Sequence, residues 1–221
     1  GIHEPDRVVR LGHIFNLHPL SVEDILNPSS RAKTEAYDGY VYVVLKMACL
    51  RTDNGKTFPR YEQVSLVLGD TFVLTFQEYD EDVFEEVRTR LRTSGTRIRR
   101  KGADYATYAL IDAIVDNYVM VLDDVGRRVE ELEEHAMQLD NSAPFRLHSL
   151  RRELLTLRKA VLPARESIQS LLREEGTWID TSTQPFLRDV YDHVVQVIDS
   201  IDIYRDIVSS LLDLHLSLSG N

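Results

Sequence analysis

Cysteine is nearly absent. Cys49 stands alone among 221 residues, so no disulfide can form within the chain. Sparing use of thiols fits a reducing compartment. Cys49 closes the apolar run YVYVVLKMAC and reads as a packed core residue rather than a reactive thiol. No stretch reaches the roughly 18 consecutive apolar residues expected of a membrane-spanning helix. The opening GIHEPDRVV has neither a signal-peptide pattern nor an initiator methionine, and both ends read as cut boundaries. Gly-rich phosphate loops, GxSxG, HExxH and CxxC are all missing, which argues against an enzyme. Basic charge is short too: 26 Lys+Arg face 36 Asp+Glu, for a net charge of −10. That balance argues against a nucleic-acid partner, which needs a basic footprint.

The acidity is unevenly placed. Residues 1–100 hold 14 Lys+Arg and 15 Asp+Glu, whereas residues 101–221 hold 12 and 21. The one basic cluster, Arg97, Arg99, Arg100 and Lys101, falls at the junction and reads as a solvated linker.

The first hundred residues mix helix and strand signals. EPDRVVRLGHIFN places Val8, Leu11 and Phe15 on one helical face. HPLSVEDILN has Pro19 at an early helical position. YVYVVLKMACL is β-branched and aromatic, as in a buried strand. QVSLVLGDTFVLTF alternates on both sides of Gly69-Asp70, which predicts a hairpin closed by a two-residue turn. DEDVFEEVRTRLR predicts a helix with acids in its first turn and arginines in its last. The fold class is therefore α/β or α+β.

Beyond Gly102 the pattern is helical. ADYATYALIDAIVDNYVMVLDDVGRRVEELEEHAMQ keeps helical spacing for some 35 residues, and NSAPF interrupts it. A second run reaches about Glu175, with a kink expected at Pro163. A third runs from about Gln184 to Leu218. At about 1.5 Å per residue each helix is roughly 50 Å long, so these helices pack on one another or project as a stalk. Three segments result: an α/β domain at 1–100, long paired helices at 101–181 and a stalk helix at 182–221.

The last helix is the most informative. Val190, Val194, Val197, Ile201, Tyr204, Val208 and Leu211 form a seam at alternating steps of four and three. Asp192, Asp199, Asp206 and Asp213 form a second stripe, each seven residues from the last. A solvated face is the plain reading of such a stripe. Yet solvated faces usually mix signs, and from Ser182 onward only Arg188 and Arg205 offset six aspartates. Such a row, brought against copies of itself, requires cations, and hard divalent ions suit oxygen ligands. His193 lies four residues after Asp189 and can share an ion with it, although a packed or capping histidine is the simpler reading.

Four segments carry a family resemblance: GIHEPDRVVRLGHIFNLHPLSVEDILNPSSRAKTEAYDGYVYVVLKM, RRKGADYATYALIDAIVDNY, LRKAVLPARE and FLRDVYDHVVQVIDSIDIYRDIVSSLLDLHLS. In order and spacing they resemble the cytoplasmic domain of the CorA family of divalent-cation transporters. The resemblance implies an α/β/α layered domain that leads into long antiparallel helices and a stalk, funnel-like in the assembled oligomer. It implies a homopentameric Mg²⁺ channel that also carries Co²⁺ and Ni²⁺, lodged in the plasma (inner) membrane, with this domain on the cytoplasmic side. The spans and a Gly-Met-Asn pore signature are then expected downstream, and further strands upstream. Gly220-Asn221 equally fits an ordinary helix C-cap.

Site residues follow from the resemblance position by position. The acidic pair of HPLSVEDIL makes Glu23 and Asp24 candidate ligands of a regulatory divalent ion at the subunit interface. Asp112 in YALIDAIVD matches a further ligand from the same subunit, and Asp189 in FLRDVYDH matches the neighbour's. Asp213 in LLDLHLS matches an acidic ring on the ion path. Asp116, Asp192 and His193 lie within a turn of these positions and widen the candidate set. A Zn²⁺-transporting relative, and a soluble acidic scaffold or metal-binding regulator, stay open as alternatives.

Overall fold

A computed structural model describes residues 2–134, 142–174 and 177–219. Two short helices, α1 (Pro5–Ile14) and α2 (Pro19–Leu26), precede four strands, β1 (Lys33–Tyr37), β2 (Tyr40–Asp53), β3 (Lys56–Leu68) and β4 (Val73–Gln77). Then come α3 (Glu85–Arg92), α4 (Arg97–Arg100) and three long helices, α5 (Ala103–Glu134), α6 (Ala143–Leu172) and α7 (Gln184–Ser219). The ends expected at Glu175 and Gly220-Asn221 lie outside the described residues.

The strands form one antiparallel sheet in the order β1-β2-β3-β4. Every residue from Val41 to Leu45 is fully buried, because both faces of β2 are covered. That is why its sequence is continuously apolar rather than alternating. Val41, Val43, Leu45, Val64 and Leu66 pack with the long helices. Tyr40, Tyr42, Val44 and Val67 pack with Val8, Val22 and Ile25 of α1 and α2. The result is the expected α/β/α layering.

Turn chemistry differs from expectation. At Gly69-Asp70 the chain makes a four-residue connection, with Leu68 paired to Val73 and Gly69 N–H donating to the Phe72 carbonyl at 3.0 Å. Two-residue hairpin turns place at least one central residue at positive φ, and neither Gly69 nor Asp70 is there. Phe72 instead leaves the strand and packs on Phe15, ring centroids 4.6 Å apart. The two-residue turns are elsewhere. Asn54 (φ 49°) and Gly55 (φ 75°) join β2 to β3, and Asp38-Gly39 (Gly39 φ 88°) joins β1 to β2.

The four side chains of the basic cluster are exposed, as a solvated segment requires, but their backbone is an anchored helical turn rather than a linker. Ile98 is buried, Arg99 donates to the Leu91 carbonyl at 2.7 Å, and the Arg97 guanidinium lies 5.3 Å from the Phe186 ring centroid. Arg97–Arg100 is thus a helical turn pinned by one apolar residue. Helix α6 runs on through Pro163, whose missing N–H leaves the Lys159 carbonyl without its usual helical donor.

The seam on α7 is buried along its length: Val190, Val194, Ile201 and Val208 are fully enclosed, and Val197 and Leu211 nearly so. Tyr204, half-buried, reaches α5 so closely that a Cβ on Gly126 would lie 2.4 Å from its hydroxyl. The helix ends in exposed Leu214, Leu216 and Leu218.

A half-buried ion pair ties α3 to the sheet's edge. The Arg88 guanidinium donates to Asp82, whose side chain is 3% exposed and which also accepts from Phe84 N–H at 2.8 Å and Gln77 at 3.0 Å. Burial acts to raise the Asp82 carboxyl, but these donors outweigh it and hold the group below the ordinary aspartate value. With the folded pKa depressed, the stabilisation is complete above the unfolded value of about 3.9 and disappears as pH falls through the lower folded value. Asp82→Asn is therefore expected to cost about 1.5–3 kcal/mol at pH 7. In denaturant titrations that deficit should shrink steadily between pH 5 and 2.

Candidate metal site

Helix α2 is fixed by its start. Pro19 supplies the helical φ, the His18 Nδ1 accepts from Leu20 N–H at 3.2 Å, and His18 N–H donates to the Tyr40 hydroxyl at 3.0 Å. Ser21 shares that hydroxyl at 2.8 Å. The far end is tied down by Gln63 Nε2, which donates to the Asp24 carbonyl at 2.8 Å. Glu23 is consequently exposed, whereas Asp24 is half-buried. The Asp24 carboxylate takes Ser30 Oγ at 3.1 Å and the Lys33 ammonium at 2.7 Å.

Asp112 and Asp116 sit on α5, across the sheet from α2. Asp112 is half-buried and accepts from the Tyr108 hydroxyl at 3.3 Å. Burial first, and the charge of Asp116 second, push its carboxyl above the ordinary value, against the pull of Tyr108, Arg90 and His193. A carboxylate held in this way gains from any added cation. On α7, Asp189 is exposed and its Oδ2 lies 3.9 Å from His193 Nε2. A groove of about 550 Å³ between α5 and α7 is lined by Asp116, Asp123, His193 and Gln196.

The structure therefore gathers Asp112, Asp116 and His193 on one side and Glu23 with Asp24 on the other. Among the described residues, no group of three or more His, Cys, Asp or Glu side chains converges to hold a metal ion. Each acidic surface offers the hard oxygen donors that Mg²⁺ prefers. Around Asp24 a cation is already accommodated, in the form of the Lys33 ammonium.

The aspartate stripe is bare. Asp192, Asp199, Asp206 and Asp213 are all exposed, and among the described residues none has an ion-pair partner. Asp202, one turn off the stripe, is by contrast neutralised by Arg158 at 3.0 Å and Arg205 at 2.9 Å. Burial tends to raise Asp202, and these two arginines overcome it and hold the carboxyl low. The residues that the sequence left unmarked are Lys33, Glu35 and Tyr108. Only Tyr108 had a local signal, four residues before Asp112 on one helix.

The architecture is thus a three-layer domain whose last long helix carries an acidic stripe without ion-pair partners among the described residues. The chain belongs to the CorA-like Mg²⁺ transporter protein family, which it matches over residues 3–221. It is 44% identical to the cobalt/magnesium transport protein CorA of Thermotoga maritima, over 100% of this chain and 63% of that protein. The putative metal ion transporter YfjQ of Bacillus subtilis is 28% identical over 99% of this chain and 66% of its own length. The chain thus spans a little under two thirds of these relatives. Its fold is that of the soluble domain of CorA from Methanocaldococcus jannaschii, with a TM-score of 0.83 at 17% identity over 97% of this chain and 85% of that one. The cytoplasmic domain of ZntB from Vibrio parahaemolyticus shares the fold at a TM-score of 0.77 and 14% identity, over 95% of this chain and 83% of that one. No helix among the described residues is long and apolar enough to cross a membrane.

Proposed function

We propose that this chain is the cytoplasmic, Mg²⁺-sensing part of a CorA-type Mg²⁺/Co²⁺ channel. In this reading the full protein is a homopentamer in the plasma membrane. Helix α7 lines the central axis and continues into the membrane. The bare aspartate stripe carries the proposal: it stands beside Asp202, which Arg205 of the same helix and Arg158 of α6 neutralise. A like-charged row on a rigid helix is stable next to its copies only when cations lie between them.

The resemblance gives Asp112 to the same subunit as Glu23 and Asp24, and Asp189 to the neighbour. Because α2 and α5 pack on opposite faces of the sheet, Glu23 and Asp24 of one subunit are instead set against Asp112 and Asp189 of the next, with Asp192 and His193 at the margin. Mg²⁺ between them joins subunits and favours a closed pore. When cytoplasmic Mg²⁺ falls, the sites empty, the carboxylates repel and the stalks part. The transported ion closes its own path. Asp213 serves the path itself and contacts the ion in passage. Shifting a gate from 1:99 to 99:1 takes about 5.5 kcal/mol of differential binding, which several interface sites supply jointly at ~1 kcal/mol each.

Limited proteolysis across a Mg²⁺ series tests this. A ligand at a hundredfold excess over its Kd stabilises by about 2.7 kcal/mol per site. Asp24→Ala and Asp189→Ala are each expected to remove most of the Mg²⁺-dependent protection, and the double variant to add little, because both act on one shared site. Parental protection in both single variants would sink the assignment.

A further inference from the structure

We propose that Lys33 is a built-in competitor for the divalent cation at Asp24, a tethered ammonium that sets the Mg²⁺ concentration at which the sensor fills. The inference rests on the reading of Asp24 as a ligand and deepens it.

The geometry is that of an occupied cation site. Lys33 Nζ lies 2.7 Å from Asp24 Oδ2 and 3.0 Å from Glu35 Oε2. It stands 6.0 Å from the centroid of the Tyr42 ring. The other Asp24 oxygen is taken by Ser30 Oγ at 3.1 Å. Glu35 is itself steadied by the Tyr37 hydroxyl at 3.0 Å. The three charged side chains are 33%, 25% and 39% exposed, so water screens them only partly. Lys33 is fixed from below by its pairing with Val44 in the sheet.

A divalent ion that reaches Asp24 meets this ammonium within contact distance, and two cations cannot share one carboxylate oxygen cheaply. The ion therefore binds the fraction of molecules in which Lys33 has turned away to Glu35, its second carboxylate. Affinity falls by that fraction: a lysine seated on Asp24 nine-tenths of the time raises the apparent Kd about tenfold. Two carboxylates around one lysine suit this role better than a permanent pair, because the displaced ammonium keeps a partner.

The test is Mg²⁺-dependent protease protection of the assembled full-length protein at constant ionic strength, for the parent, Lys33→Gln, Lys33→Met, Lys33→Arg and Asp24→Ala. Lys33→Gln and Lys33→Met are expected to lower the Mg²⁺ midpoint on the order of tenfold. Both should also melt earlier than the parent without divalent ions, since Asp24 and Glu35 then lose their counter-charge. Lys33→Arg, which keeps the charge, should hold the midpoint near the parent's. If Asp24→Ala loses the Mg²⁺ response while both neutral variants keep or raise the parental midpoint, Lys33 is an ordinary structural ion pair and the proposal is wrong. If Asp24→Ala keeps the parental response, Asp24 is no ligand, and the underlying reading fails first.

Discussion

Asp189→Lys is expected to hold the assembled channel shut at Mg²⁺ concentrations where the parent opens. Asp189 is exposed on α7, and within the chain its Oδ2 lies 3.9 Å from His193 Nε2. A lysine there carries a permanent cation to the surface where the proposal places a bound Mg²⁺. Two opposite charges ~4 Å apart at an effective dielectric near 20 attract by about 4 kcal/mol, the same size as the repulsion that an empty site suffers. One substitution thus replaces repulsion with attraction at every interface of the proposed ring. Ion flux through the reconstituted protein should lose its rise at low Mg²⁺, and protease protection should no longer depend on Mg²⁺. Asp213→Ala makes the contrast: flux should change and the Mg²⁺ dependence of protection should stay. If Asp213→Ala abolished protection while Asp189→Lys left gating as in the parent, the sensor and path roles would be exchanged.

The second large effect concerns stability. Ile201→Ala is expected to cost about 2–5 kcal/mol, because Ile201 is fully buried in the seam that α7 shares with α5 and α6. For a chain of this size that is a fall in Tm of roughly 4–20 °C. Ile203, two residues on, is 59% exposed. Ile203→Ala should stay within about 0.5 kcal/mol of the parent. Thermal melts of the two variants separate a helix packed by its seam from one held by general hydrophobicity. Equal losses would refute the seam.

That seam was legible because a period near 3.5 survives any change of partner: the spacing of Val190, Val194, Val197 and Ile201 shows burial before it shows against what. The central strands were legible for a similar reason, since Val41 to Leu45 have no polar position to expose. The turns were less so. Gly69-Asp70 satisfied the composition of a hairpin turn but not its backbone, because Phe72 was drawn out of the strand by Phe15. Asn54-Gly55 carried a stronger signal inside a stretch too polar to read as a strand. Charge counting caught the exposure of Arg97, Arg99, Arg100 and Lys101 but not the helical turn that carries them, because the burial of Ile98 among arginines is settled by tertiary packing. At the site, the aspartate stripe could be seen in the heptad. The Lys33–Asp24 contact could not, since it joins a strand to a helix nine residues away through a turn with no periodic pattern. Nor does one chain reveal which acids meet, because Asp24 and Asp112 lie on opposite sides of the sheet.

The burial of Cys49 has a use in spectroscopy. The side chain is 7% exposed, and burial, followed by the charge of Glu62, pushes its thiol above the ordinary value. Thiolate-seeking reagents such as maleimides therefore find almost no target in the folded chain. A cysteine introduced at an exposed position on α7, such as Ile203, can then carry a fluorophore or spin label with the native thiol left in place. Distances between labels on neighbouring copies would follow the helix as Mg²⁺ is withdrawn. Slow modification of Cys49 in the same sample would time the opening of β2, so one reagent would report both the movement of the stalk and the integrity of the sheet beneath it.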